Sequence, residues 1–115
     1  MASDYKQMMK DVSSQVAVLK KDQPDTISGF YAMAGGATKN GALDEKTKEL
    51  ITLAIAVALR CEPCMAFHTA ALVRLGVTKE ELEETLGCAI YMGGGPALMY
   101  AAHAMEAFSQ ISKKD

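Results

Sequence analysis

A chain of 115 residues, half of them hydrophobic and 23% charged, has the size and balance of one globular domain, taken here as residues 1–115, and not of a disordered or fibrous polymer. Its formal net charge of −2 comes from interspersed acids and bases, with no basic stripe to neutralise phosphates, so nucleic acid is not an expected partner. The longest apolar run, residues 50–59, is about half of the roughly 20 residues that a membrane-spanning helix needs, and Met1-Ala2-Ser3-Asp4-Tyr5-Lys6 lacks the basic and apolar stretches of a signal peptide. These features predict a cytoplasmic protein without membrane segments, in a compartment where a close cysteine pair is redox-active or metal-binding rather than a structural staple.

In chain order, Tyr5, Met8 or Met9, Val12, Val16 and Leu19 recur at three- and four-residue steps and predict an amphipathic helix over 4–21. Pro24 suits the first turn of a second helix, carrying Ile27, Phe30, Tyr31 and Met33 towards Gly35-Gly36. After the turn residues Thr38-Lys39-Asn40-Gly41, Asp44 can cap a third helix over 45–60, with Glu45 favourably placed in its first turn. Pro63 then fits the first turn of a fourth helix ending near Leu75, with Gly76 just beyond its end. Thr78-Lys79-Glu80-Glu81 has the form of a capping box and opens a fifth helix through Leu82, Leu86, Ala89 and Ile90 to 92. Gly93-Gly94-Gly95 breaks it. Pro96 starts a sixth, carrying Leu98, Met99, Ala102, Met105, Ala107 and Phe108 before a polar tail at 109–115. The expected fold is all-α, about six helices in one bundle.

Chemistry concentrates around Cys61-Glu62-Pro63-Cys64. Two residues between cysteines are few enough for a disulfide to close with little backbone movement, and a helix N-terminus stabilises a thiolate. His68 lies four residues after Cys64, on the same helical face, where it can accept a proton. That shared face favours Cys64 as the attacking thiol without excluding Cys61. Glu49 is an acid immediately before the apolar run, on the face of Leu53, Ala56 and Arg60. It can orient His68 only where two helices cross.

Other readings of these residues stand beside this one. Cys61, Cys64 and His68 could hold zinc, with Cys88, His103 or Glu49 as a fourth ligand, or the chain could be a non-catalytic helical assembly module. Against zinc, the sequence has no second C-x-x-C or H-x-x-x-H knuckle. Cys88, among Leu86, Gly87, Ala89 and Ile90, reads as a core residue, and His103, among alanines and methionines, as a core or interface histidine. The eight methionines read as core filling.

Glu49, eleven intervening residues, C-x-x-C at Cys61 and Cys64, three residues and His68 together resemble the alkylhydroperoxidase D-like branch of the carboxymuconolactone decarboxylase superfamily. The likeness extends over residues 44–108, including Ile90-Tyr91-Met92-Gly93-Gly94-Gly95-Pro96-Ala97, similar to the family's glycine-proline break. It implies a helical protomer assembled into homotrimers or homohexamers, and a thiol peroxidase or disulfide oxidoreductase with Glu49, Cys61, Cys64 and His68 as catalytic residues. It also implies that the redox centre is the Cys61–Cys64 disulfide itself, with no other cofactor and no metal. The implied partners are a small hydroperoxide or disulfide substrate and a lipoyl- or thioredoxin-like dithiol donor. In one respect the chain departs from the characterised peroxidase: Pro63 stands where that enzyme has a histidine, so disulfide exchange carries over more readily than peroxidase turnover.

Overall fold

In the computed structural model, residues 3–113 are described, and all regular structure among them is helical. The elements are α1 (Tyr5–Asp22), α2 (Pro24–Thr38), α3 (Glu45–Leu59), α4 (Glu62–Arg74) and α5 (Lys79–Ser112). All six predicted segments are present, the last two joined as arms of one long element. Met1 and Ala2, part of the start examined for a leader, and Lys114 and Asp115, the end of the expected tail, lie outside the described residues. The tail expectation is corrected at its beginning, because helix continues through Ser112.

The helix starts follow from their caps. Asp4 Oδ1 accepts the Gln7 N–H at 3.0 Å, and Asp44 Oδ1 accepts that of Thr47 at 2.8 Å. Hydrogen bonds from Thr47 hold the Asp44 carboxyl below its usual range. At Thr78 the predicted capping box is complete: Thr78 Oγ1 accepts the Glu81 N–H, and Glu81 Oε1 accepts the Thr78 N–H. The other Glu81 oxygen accepts from Lys46 Nζ at 2.8 Å, tying the start of α5 to that of α3.

Two helices end in the same way. After α4, Gly76 takes positive φ (77°), its N–H bonds to the Val73 carbonyl, and the Val77 N–H bonds to that of Leu72. After α3, Arg60 occupies the corresponding position (φ 60°), with Arg60 N–H to Val57 and Cys61 N–H to Ala56. Both are Schellman turns, a motif whose left-handed residue is usually glycine. The turn at Arg60 delivers Cys61 directly as the N-cap of α4.

The break in α5 is one residue wide. Gly94 adopts φ 72°, ψ −154°, a region open essentially only to glycine, and Pro96 beyond it loses nothing by lacking an N–H in a first turn. A side chain at Gly93 would also bring its Cβ within 2.6 Å of Ala97 Cβ. Past the break, Ala97, Ala101 and Ala104 form a narrow small-residue seam against Leu53 and Val57 of α3, Met65 and Leu72 of α4, and Leu82 of the first arm. A smaller cluster of Tyr5, Ala66 and Ala107 seats the start of α1 between α4 and α5.

Two expectations fail at the periphery. Of the predicted apolar face of α1 only Tyr5 is buried, and Leu19 is half exposed; α2 buries nothing and leaves Phe30, Tyr31 and Met33 exposed. The cause is layering, since α2 touches only α1 and α3 and no element covers its outer side. Cys88 is also exposed rather than in the core. Leu86 and Ala89 take the inward face of α5, and at 100° per residue Cys88 falls on the opposite side.

Candidate active site

Cys61 and Cys64 are joined by a disulfide, with Cα atoms 5.2 Å apart, at the corner spanning residues 60–64 where α3 hands over to α4. Cys61 Sγ accepts the Cys64 N–H at 3.2 Å and so caps α4 with sulfur where an oxygen is usual. A negative charge on Cys61 would meet that donor and the positive end of the helix dipole together.

His68 follows one turn along α4, and the crossing of α3 and α4 brings Glu49 to it across 19 residues of sequence. His68 Nδ1 lies 2.7 Å from Glu49 Oε2 and 3.3 Å from Thr52 Oγ1. The Thr52 hydroxyl donates to the Glu49 carbonyl at 2.9 Å, so its lone pairs face the imidazole. Two acceptors around Nδ1 require it to carry the proton, which leaves Nε2 as the basic nitrogen of the neutral ring. Glu49 is 7% exposed, and a carboxylate so buried needs such partners. The His68 side chain keeps a third of its surface.

A cleft of about 230 Å³ opens over these groups. It is lined by Cys61, Cys64, His68 and Thr52, and on its apolar side by Ile55, Ala56 and Leu59. A disulfide, a base and an aliphatic wall share this cavity, an arrangement suited to thiol chemistry on an apolar substrate.

All four residues expected from the sequence are therefore gathered at this corner: the two cysteines in a disulfide, Glu49 and His68 as a pair. Sequence reasoning missed Thr52, whose only signal is that it is the single hydroxyl within the run 50–59. It also missed that Glu62, inside the C-x-x-C, bonds to Tyr5 and His103. Among the described residues, no three or more His, Cys, Asp or Glu side chains are grouped to hold a metal ion. Of the fourth ligands considered for zinc, Cys88 lies exposed, His103 pairs with Glu62, and Glu49 pairs with His68.

Fold and site define an all-helical protein with a disulfide-forming dithiol at a helix start, flanked by a carboxylate–imidazole pair. The sequence pattern of the Carboxymuconolactone decarboxylase family matches residues 24–107. The chain belongs to that family, consistent with the alkylhydroperoxidase D-like branch. An uncharacterised protein of Cupriavidus necator is 38% identical over 112 residues, which are 97% of this chain and 99% of that one. Another, from Haemophilus influenzae, is 35% identical over 95% of this chain and 96% of its own length. Among solved structures, a carboxymuconolactone decarboxylase family protein of Legionella pneumophila superposes with a TM-score of 0.93 at 54% identity, covering 95% of this chain and 97% of that one. A Thermotoga maritima family protein, with a suggested role in the antioxidative response, shares the fold at a TM-score of 0.81 and 24% identity, over 90% and 89% of the two chains. No helix among the described residues is long and apolar enough to cross a membrane.

Proposed function

We propose that the protein is a thiol oxidoreductase that cycles Cys61 and Cys64 between dithiol and disulfide, reducing an apolar hydroperoxide or disulfide in the cytoplasm. The observation that carries this reading is the shared cleft: the Cys61–Cys64 disulfide lines one cavity with His68, whose Nδ1 is held by the buried Glu49.

In the reduced protein, His68 Nε2 takes a proton from the Cys64 thiol, which shares its helical face, while Glu49 stabilises the imidazolium. The Cys64 thiolate attacks the distal oxygen of a hydroperoxide. The O–O bond breaks, the alkoxide takes the proton from His68 and leaves as an alcohol, and Cys64 becomes a sulfenic acid. Cys61 then gives its thiol proton to His68, and its thiolate, stabilised by the Cys64 N–H, attacks that sulfur; the hydroxide that departs takes the proton from His68 and leaves as water, forming the disulfide. A donor dithiol of the lipoyl or thioredoxin kind regenerates the pair. One of its thiolates attacks Cys64 and expels Cys61, the better leaving group because its anion rests at the helix start; the donor's second thiol then closes the donor disulfide and frees Cys64. With Pro63 rather than a further base before Cys64, disulfide exchange is expected to outpace peroxide reduction.

The test supplies reduced protein with an alkyl hydroperoxide or a small disulfide and a dithiol donor. Wild type turns over, Cys64→Ser and Cys61→Ser do not, and turnover independent of both cysteines would refute the reading.

The same reading includes a homotrimer or homohexamer. Leu59 is 74% exposed, Tyr91 85% and Met92 80%, and Ile51, Ile55 and, on α2, Phe30, Tyr31 and Met33 are exposed as well; large apolar side chains left open in this way favour burial against further protein. Further copies of the chain covering these faces would place the cleft wall of Ile55 and Leu59 beside an interface. Light scattering coupled to size exclusion is expected to give a multiple of the 12.3 kDa chain, and a monomer at micromolar concentration would contradict it.

A further inference from the structure

Glu62 stands between the two cysteines, yet it is not among the residues lining the cleft and the cycle above does not use it. Its Oε2 accepts the Tyr5 hydroxyl at 2.9 Å, and its Oε1 is hydrogen-bonded to His103 Nδ1. The three groups come from the start of α1, the first residue of α4 and the second arm of α5, with 57 and 41 residues separating the bonded pairs. Tyr5 is fully buried, whereas the Glu62 and His103 side chains keep 23% and 38% of their surface. Burial, and next the Glu62 carboxylate, push the Tyr5 hydroxyl up to about 12, so it remains a proton donor under ordinary conditions. The Tyr5 end is fixed by Gln110, which accepts the Tyr5 N–H and donates to Glu106 and to the Ser3 carbonyl.

A carboxylate here has opposing effects. In the first turn it suits the helix dipole, but adjacent Cα atoms are only about 3.8 Å apart, so an unrelieved charge at Glu62 lies within about 10 Å of both sulfurs and opposes a thiolate.

We propose that Tyr5 and His103 are positioning residues acting through Glu62: they take up its charge and hold the first turn of α4, so that the carboxylate between the cysteines does not suppress thiolate formation. This rests on the dithiol being redox-active. Reduction of the Cys61–Cys64 bond by glutathione draws two electrons from two glutathione thiols, yields glutathione disulfide and leaves two protein thiols, one of which sheds its proton where a thiolate forms.

The test alkylates the reduced full-length protein across a range of pH, following each cysteine by mass spectrometry, and equilibrates it with glutathione above the alkylation midpoint. His103→Gln and Tyr5→Phe leave the carboxylate less neutralised and should raise the midpoint by about half a unit; Glu62→Gln should lower it by a similar amount. The reduced-to-oxidised ratio should fall about threefold in the first two and rise about threefold in the third. In a Glu62→Gln background, His103→Gln should add nothing, since its effect runs through the carboxylate. Should His103→Gln not fold, as judged by circular dichroism, Tyr5→Phe against Glu62→Gln makes the same comparison. Shifts of one sign in all variants, as a loosened turn would produce, or no shift, would overturn the proposal. A wild type with no reversible couple would overturn it together with the function it rests on.

Discussion

Replacing Glu49 by glutamine keeps the shape of the side chain and removes its charge from a site where only 7% of the residue meets solvent. The 2.7 Å contact from His68 Nδ1 changes from a charge-assisted hydrogen bond to a neutral one. Hydrogen bonds to charged groups contribute about 1.5–3 kcal/mol against about 1 for neutral pairs, so an imidazolium on His68 loses roughly 1–2 kcal/mol of support. At about 1.4 kcal/mol per tenfold, proton transfer from the thiol should slow by about five- to thirtyfold. Stability should move less, by about 1 kcal/mol or under, because the lost ionic contact is offset by no longer burying a charge, and His68 is a third exposed. The assay is stopped-flow oxidation of reduced protein by excess hydroperoxide, repeated between about pH 6 and 9. Unchanged rates across that range in a folded Glu49→Gln protein would refute the relay and leave Glu49 a packing role.

Further outcomes follow from the backbone and the buried tyrosine. Gly94→Ala should destabilise by about 1–3 kcal/mol, since alanine cannot adopt φ 72°, ψ −154° without strain, whereas Gly35→Ala, with open space around it in α2, should stabilise by about 0.5–1 kcal/mol; thermal melts of the pair check both. Arg60→Gly relieves a left-handed non-glycine residue and should be neutral or stabilising by up to about 1 kcal/mol, and a clear loss in a denaturant titration would show that the Arg60 side chain holds the corner. Tyr5 has a folded-state value raised above its ordinary 10.0 to about 12, so its contribution is complete below about pH 10 and is lost as pH climbs towards 12. Tyr5→Phe should therefore flatten alkaline unfolding in that window, and an identical alkaline profile would exclude Tyr5 as a cause.

Local signals in the sequence located most of the fold. Pro24, Asp44, Gly76 and the Thr78–Glu81 box each act over three or four residues, and each starts or ends a helix where the chain places it. The boundary between the last two helices is legible in Gly93-Gly94-Gly95-Pro96, and the structure narrows the bend to Gly94, after which the hydrogen-bonded helix resumes at once. Cys88 was misread because a uniformly apolar neighbourhood hides helical phase: Leu86 and Ala89 face inward and Cys88 does not. The exposure of α2 depends on what lies over it, which periodicity does not encode. At the site, Cys64 and His68 are linked by local spacing, and Glu49 joined them only through family register, since its contact crosses 19 residues. The meeting of Tyr5, Glu62 and His103 had no local signal, since it is set by how the ends of the bundle close.

The most direct measurement takes fully reduced protein, adds one equivalent of an alkyl hydroperoxide, and follows intact mass and the peptide bridging Cys61 and Cys64. The account predicts a loss of about 2 Da located to that pair, with Cys88 remaining a free thiol, and full reversal by a dithiol. Unchanged thiols at Cys61 and Cys64, or oxidation that falls first on Cys88, would contradict it.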